Sequence, residues 1–349
     1  NYLIMTNFFR ATLEQIAAED RVPTSSLYLL SRLDRDSLEI FRDVWPTIPD
    51  RRRRSIMREL MEIVEVNFEV DFDPIFLLGL GDEDAEVRTA AIKGLWENES
   101  FALIRPLIHL LKTDPAVIVR EAAASALAKF IYLKELEEID WDEATLAEEA
   151  LIETIQQARE EVDVRRRAIE SIGYSGNPHV NEIIEAAYYD ESVKMRVSAI
   201  FAMGRNADMR WVPQIMSELD DHRAELRFEA ARACGELEAK EAVTKLIALI
   251  DRDPDLEVQE MAIWALGRIG GDEARAALEA CLDNDNEALA LAAEDSLDEI
   301  NLFDDNLVLY DFDDDNIDGS LLELLDDDFD GFPDLDKFNG QENKKDYLH

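Results

Sequence analysis

From Asp71 to Ile300 the apolar residues recur three and four positions apart, in short helical stretches that come in pairs separated by polar turns. The second stretch of each pair opens with an apolar residue followed by a polar anchor: Val87-Arg88, Val119-Arg120, Val164-Arg165, Met195-Arg196, Leu226-Arg227, Val258-Gln259 and, more weakly, Leu289-Ala290. The intervals between anchors are 32, 45, 31, 31, 32 and 31 residues, so the period is about 31. Within the second stretch, positions three and six after the anchor are Ala, Gly or Ser. Position seven is mostly Leu, Ile or Met, and position eight is Gly four times, at Gly173, Gly204, Gly235 and Gly267. Earlier stretches such as Ile104 to Leu111 and Val243 to Ile250 supply a first helix for each pair. Helix pairs that are apolar on one face cannot bury that face alone and must stack on their neighbours. The pattern predicts an all-α solenoid in which small residues let adjacent helices approach closely.

The unit Asp-Pro-x-x-x-Val-Arg-x-x-Ala-x-x-Ala-Leu-Gly, closest here at Asp253 to Gly270, with Gln259 in place of the Arg, resembles HEAT repeats, in particular the short bacterial kind of phycobilin-lyase-type and scaffold proteins. The resemblance implies a superhelix of stacked helix pairs. It also implies that Asp82, Asp114, Asp190, Asp221, Asp253 and Asn284, six positions before the anchors, pair with the anchor arginines from repeat to repeat, which makes the arginines structural. The same short polar side chains are expected to cap the second helices. The 45-residue interval contains an insertion of about 14 residues, Tyr132 to Thr145, acidic and carrying Trp141; it is expected to lengthen a helix or bulge from the stack.

Upstream, Ser37 to Trp45 and Asp50 to Glu65 read as a diverged repeat anchored on Arg54, and Thr12 to Asp20 as a further helix. The expected organisation is a diverged helical region over 1–70, the solenoid over 71–300 and an acidic, disordered tail over 301–349. Met5-Thr-Asn-Phe-Phe reads as a natural start, with Asn1 to Ile4 as an extension. The run Arg51 to Arg54 is the one dense basic cluster, read here as a solvated helix face, with contact to a phosphate or an acidic partner as the alternative.

Composition narrows the function. The 349 residues carry 36 Lys and Arg against 79 Asp and Glu, a net charge of −43. Direct binding to nucleic acid or to an anionic membrane needs a basic face and is not expected. The longest run free of Asp, Glu, Lys and Arg, Ser171 to Asn181, is too short to cross a bilayer, so a soluble cytoplasmic protein is expected. From Asp304 to Asp336 there are 14 acids and no Lys or Arg, interleaved with Leu307, Tyr310, Leu321, Leu325, Phe329 and Phe332. Such alternation is typical of segments that fold on binding. Asp326, Asp328, Asp330 and Asp334 follow the spacing of the first half of a calcium loop. The bidentate acid at position twelve is missing, and a solvated acidic tail explains the spacing as well.

No catalytic constellation emerges. His109, His179 and His222 are isolated, Cys234 and Cys281 fall on apolar faces, and neither a phosphate-cradling loop nor a nucleophile elbow is present. HEAT-like enzymes that hydroxylate deoxyhypusine use His-Glu steps on metal, and this chain has no His-Glu dipeptide. No cofactor is expected. What remains is the inner face, built from second helices, whose exposed stripe should lie five and nine residues after each anchor. Tyr174, Phe201, Arg205, Arg232, Trp264 and Arg268 stand on that stripe, with Trp96 a weaker candidate. Large aromatics beside arginines on a rigid face have the composition of binding hot spots, although the rings could equally pack on neighbouring repeats. The expected function is a non-enzymatic scaffold or adaptor whose protein partner carries a basic patch. The alternatives are a tetrapyrrole lyase-like chaperone and an acidic nucleic-acid mimic that binds basic proteins.

Overall fold

The computed structural model describes residues 2–18, 23–67, 69–136 and 141–310, with 2–7, 141 and 302–310 described as backbone only. The candidate calcium residues Asp326, Asp328, Asp330 and Asp334 and the centre of the insertion lie outside the described residues, as does the side chain of Trp141. A compact unit runs to Leu297, and a second unit, Asp298 to His349, begins within the last described helix. Every regular element among the described residues is helical, and none of these helices is long and apolar enough to cross a membrane.

Four helices lead the chain: α1 (Tyr2–Ala18), α2 (Thr24–Leu27), α3 (Arg35–Val44) and α4 (Asp50–Val66). Seven pairs follow. They are α5 (Asp73–Gly79) with α6 (Ala85–Gly94), α7 (Ile104–Thr113) with α8 (Val117–Glu135), α9 (Trp141–Gln156) with α10 (Val162–Ile172), and α11 (Pro178–Tyr188) with α12 (Val193–Arg205). Then come α13 (Val212–Glu218) with α14 (Ala224–Glu236), α15 (Val243–Arg252) with α16 (Leu256–Ile269), and α17 (Asp272–Cys281) with α18 (Glu287–Tyr310). In the first six pairs the first helix packs on its own second helix, and the second helices α4, α6, α8, α10, α12, α14 and α16 pack successively side by side.

The core follows the predicted register. The residue before each of the first six anchors, Val87, Val119, Val164, Met195, Leu226 and Val258, is at most 1% exposed, and the small residue three after each of them is fully buried. Full burial of such a side chain contributes about 1.5–3 kcal/mol, so the row is a principal source of stability. First helices bury a single stripe: Val243, Leu246 and Ile250 of α15 face inward.

The acids six before the anchors behave differently from the capping expectation. Asp114, Asp190, Asp221 and Asp253 accept a hydrogen bond from the backbone amide two residues on, at 2.8–3.0 Å, and so shape the turn before the helix. The caps of α6 and α16 are Asp84 and Asp255, four before the anchor. Pairing between repeats does occur. Arg88 binds Asp114 with two bonds of 2.7 and 2.8 Å, and Arg227 binds Asp253 with two of 2.6 and 2.8 Å. Arg120 turns instead to Glu160, because the residue six before the next anchor is Arg159, and Arg196 turns to Glu218 although Asp221 keeps its register position. Asp221 is held by its neighbour Arg223.

The basic cluster is not a solvated face. Arg52 and Arg53 are each 5% exposed; Arg52 donates to the Ile16 carbonyl and to Glu59, Arg53 to the Ile48 carbonyl and to Asp50. Arg54 forks onto Asp84 and extends the ladder one repeat upstream, which leaves Arg51 alone exposed. These arginines fasten the N-terminal helices to the stack. The insertion lengthens the two helices that flank it: α8 has 19 residues and α9 has 16. A buried Lys134–Glu148 pair of 2.7 Å, joined by Ser175 and Asn177, ties the lengthened ends together.

Candidate partner-binding face

Second helices in contact form one continuous surface, and what lies on it depends on how closely they approach. Gly204 of α12 abuts Ala233 of α14, and Gly235 abuts Ala265 of α16; an added Cβ would lie 3.0 and 2.9 Å from the opposing Cα atoms. The helices therefore touch backbone to backbone. Side chains at positions five and nine are forced out over the seam, where they meet their counterparts from the next repeat.

The meeting produces a ladder of rings and guanidinium groups. Arg205 lies over the Tyr174 ring at 5.6 Å and over the Phe201 ring at 5.4 Å, and Arg232 also lies over the Phe201 ring, at 4.1 Å. Tyr174 in turn meets Tyr132 edge-on, with centroids 5.4 Å apart. Trp264 rests against Gly235, the nearest approach a Cβ there would make being 2.7 Å to its ring. Arg268, one turn further along α16, is half-buried. Thus Tyr174, Phe201, Arg205 and Arg232 come together in one run, while Trp264 and Arg268 sit on the repeat that follows.

Carboxylates close the ladder electrostatically. Arg232 pairs with Glu229 and Glu236, and Arg205 reaches Glu236 at 3.2 Å. Glu229 is 7% exposed, and burial pushes its carboxyl above the ordinary range against the pull of Arg232. One oxygen of Glu236, Oε2, is buried without a hydrogen-bond partner. The rings of Tyr174, Phe201 and Trp264 are half-buried and the side chain of Arg232 is only 12% exposed, so the guanidinium groups of this part of the face are paired within the fold.

More open apolar surface lies towards the N-terminus. Tyr132 is 47% exposed, Trp96 55% and Ile118 46%. Periodicity could not single out Tyr132, which belongs to the out-of-register insertion, or Ile118, which precedes its anchor. Their signal is instead a departure from the repeat: position eight, Gly in four later repeats, is Trp96, just beyond α6, and position five is only a Ser in α8. Neither cysteine offers a reactive thiol. Cys234 is buried and its thiol is pushed up to about 12, and burial raises Cys281 as well. Among the described residues no three His, Cys, Asp or Glu side chains gather as a metal ion would require.

Stacked helix pairs with a continuous second-helix face define a helical-repeat solenoid protein. A model of HEAT repeats matches residues 74–141, 180–255 and 212–298, more than half of the chain, and the protein belongs to that family. Human deoxyhypusine hydroxylase is 27% identical over 123 residues, covering 35% of this chain and 40% of that enzyme; the chain thus spans two fifths of the enzyme's length. The uncharacterized phycocyanin operon protein Z of Pseudanabaena tenuis is 26% identical over 176 residues, 49% of this chain and 83% of that protein. Yeast importin-beta has the same kind of fold, with a TM-score of 0.51 at 12% identity over 84% of this chain and 46% of its own.

Proposed function

We propose that this protein is a non-enzymatic cytoplasmic scaffold or adaptor that holds a protein partner on the second-helix face of its HEAT repeats. The observation that carries this reading is the run Tyr174, Arg205, Phe201 and Arg232, continued by Trp264 and Arg268. It is a preformed row of aromatic and guanidinium groups whose ordering cost is already met in the fold. The net charge of −43 favours a partner with a basic patch, because complementary charge speeds encounter and rejects acidic competitors.

Affinity capture from the source cells, followed by mass spectrometry, tests this with the full chain, a deletion ending at Asn301, and Phe201→Ala/Trp264→Ala. A stoichiometric partner lost only in the double variant supports the reading. A partner lost only with the deletion moves recognition to the tail, and capture of nothing by any version counts against an adaptor.

A second reading draws on the likeness to the phycocyanin operon protein: a carrier or lyase-like chaperone for a tetrapyrrole. Co-expression with such a chromophore separates the two, since an adaptor purifies without visible absorbance.

A further inference from the structure

One seam between second helices stays open. Helix α6 ends at Gly94, six residues after its anchor, whereas α12 and α14 run to the ninth residue, Arg205 and Glu236. Beyond Gly94 the chain places Trp96 where later repeats have the Gly that permits close contact. On the facing helix α8, position five is Ser125, the smallest residue found there; its counterparts are Lys93, Glu170, Phe201, Arg232, Trp264 and Asp295. A seam that Phe201, Arg232 and Trp264 cover in later repeats is therefore bare. The result is a groove of about 640 Å³ with Ile92, Leu103, Leu107 and Ala122 in its apolar lining and Trp96 and Ile118 exposed beside them.

The charges around this groove invert those of the chain. Its lining includes Lys93, Lys129 and Arg167 against one carboxylate, Glu121, in a protein with more than two acids for every base. Lys129 donates from Nζ to the carbonyls of Leu95, at 3.1 Å, Trp96, at 3.0 Å, and Asn98, and so fixes the chain beyond α6 with its ammonium beside the groove; burial lowers its pKa, and Glu99 and Asp73 favour the charged form. Arg167 is steered by Glu170 at 2.6 Å. Lys93 is exposed and makes no ion pair among the described residues. At physiological ionic strength charges are screened over about 8 Å, so the lining, rather than the distant acidic surface, sets the potential a bound group meets.

Along α8 the lining runs from Ile118 to Lys129, a span of eleven residues or about 16 Å at 1.5 Å per residue, while α6, Leu103 just before α7 and Leu107 on it supply the facing residues and α10 adds Arg167. That length fits about three turns of helix, at 5.4 Å per turn. We propose that it docks a short amphipathic helix of a partner protein, apolar along one stripe and carrying Asp or Glu beside it. This goes beyond the proposed function, because it assigns a second contact of opposite charge preference, at residues outside the Phe201–Trp264 row.

The test uses the full chain and two labelled model helices of about 14 residues. One has Leu and Phe at i, i+3, i+4 and i+7 with Glu and Asp between them; the other replaces every acid with Lys. Fluorescence anisotropy is expected to show saturable binding of the acidic helix, at least about tenfold tighter than the basic one, against the sign of the bulk charge. Lys93→Glu, at an exposed position, should weaken it about tenfold, and Ser125→Trp, which rebuilds the cover seen at Trp264, should abolish it with the thermal midpoint unchanged. Phe201→Ala/Trp264→Ala should leave it untouched, which separates failure here from failure of the scaffold reading. Equal or tighter binding of the basic helix, no saturable binding of the acidic one, or full affinity in Lys93→Glu would overturn the proposal.

Discussion

Gly270 closes α16 with a φ of +64° and a ψ of −165°, and the corresponding eleventh residue after the anchor in the two preceding repeats, Ala207 and Glu238, also takes a positive φ, +54° and +50°. Only glycine adopts that region without a clash at Cβ, and other residues are strained there by roughly 1 kcal/mol. Ala207→Gly and Glu238→Gly are therefore expected to be neutral to slightly stabilising, where glycine in a helix interior would destabilise; urea unfolding reads the difference. Gly235 has the opposite requirement, space rather than φ. Gly235→Val should cost about 1–3 kcal/mol by pushing against Ala265 and Trp264, and an unchanged denaturation midpoint would refute the close contact. At Cys234, burial keeps the thiol protonated, so it should react with a thiol reagent at pH 8 only after unfolding.

Between elements the decisive interaction is the arginine ladder. Arg227 and Asp253 have side chains only 10% and 2% exposed, so removing one partner strands a buried charge. Arg227→Met is expected to cost about 3 kcal/mol, and Arg227→Met/Asp253→Leu less than that single change. A double variant that is worse than the single would show that the pair is worth more than the packing that replaces it. The ladder also sets a pH dependence. The guanidinium of Arg54 lowers the Asp84 carboxyl. At Asp253 burial acts upward, but the bonds from Arg227 and the Asp255 amide outweigh it, so that carboxyl is lowered too. For a group whose folded pKa is lowered, the unfolded chain takes up protons first. The stabilisation is present above about pH 4 and is lost as pH falls through the depressed folded value. Glu229, raised by burial, acts in the opposite sense and loses its contribution as pH rises past its ordinary value. The urea midpoint of the wild-type chain should fall as pH drops below about 4, and Asp253→Asn should flatten that fall.

At the scale of the whole molecule, charge governs encounter. Association with a basic partner should weaken as salt rises, mainly through a slower on-rate, and a salt-independent rate measured by stopped flow would argue against electrostatic recognition. Repeat architecture was legible in the sequence because each helix pair depends only on its neighbours: a period of about 31, Ala at position three and Gly at position eight are local statements of how close the next helix must come. The Arg88–Asp114 and Arg227–Asp253 pairs were legible for the same reason.

The departures depended on three-dimensional packing. Arg52 and Arg53 read as solvated because four consecutive arginines look polar in one dimension, yet they are buried where α4 meets α1 and the turn before it, and backbone carbonyls there accept their protons. Arg120 chose Glu160 because Arg159 stands at the register position, and Arg196 chose Glu218 while Arg223 holds the in-register Asp221. The candidate stripe was found by counting from the anchors, but that its rings and guanidinium groups satisfy one another came from the seams, where residues 31 or so apart in sequence lie a few ångströms apart. The groove at Ser125 and Trp96 has the same origin: in the sequence Trp96 is only a weaker candidate and Ser125 none, and an open, cationic space appears only when a short α6 is set beside a long α8. Sequence determined the period, the core and the helix pairs, because those follow from near neighbours and burial. Tertiary structure decided which charges are buried, which rings are covered and where the surface stays open, because those depend on the distance between helices and on which side chain happens to fill it.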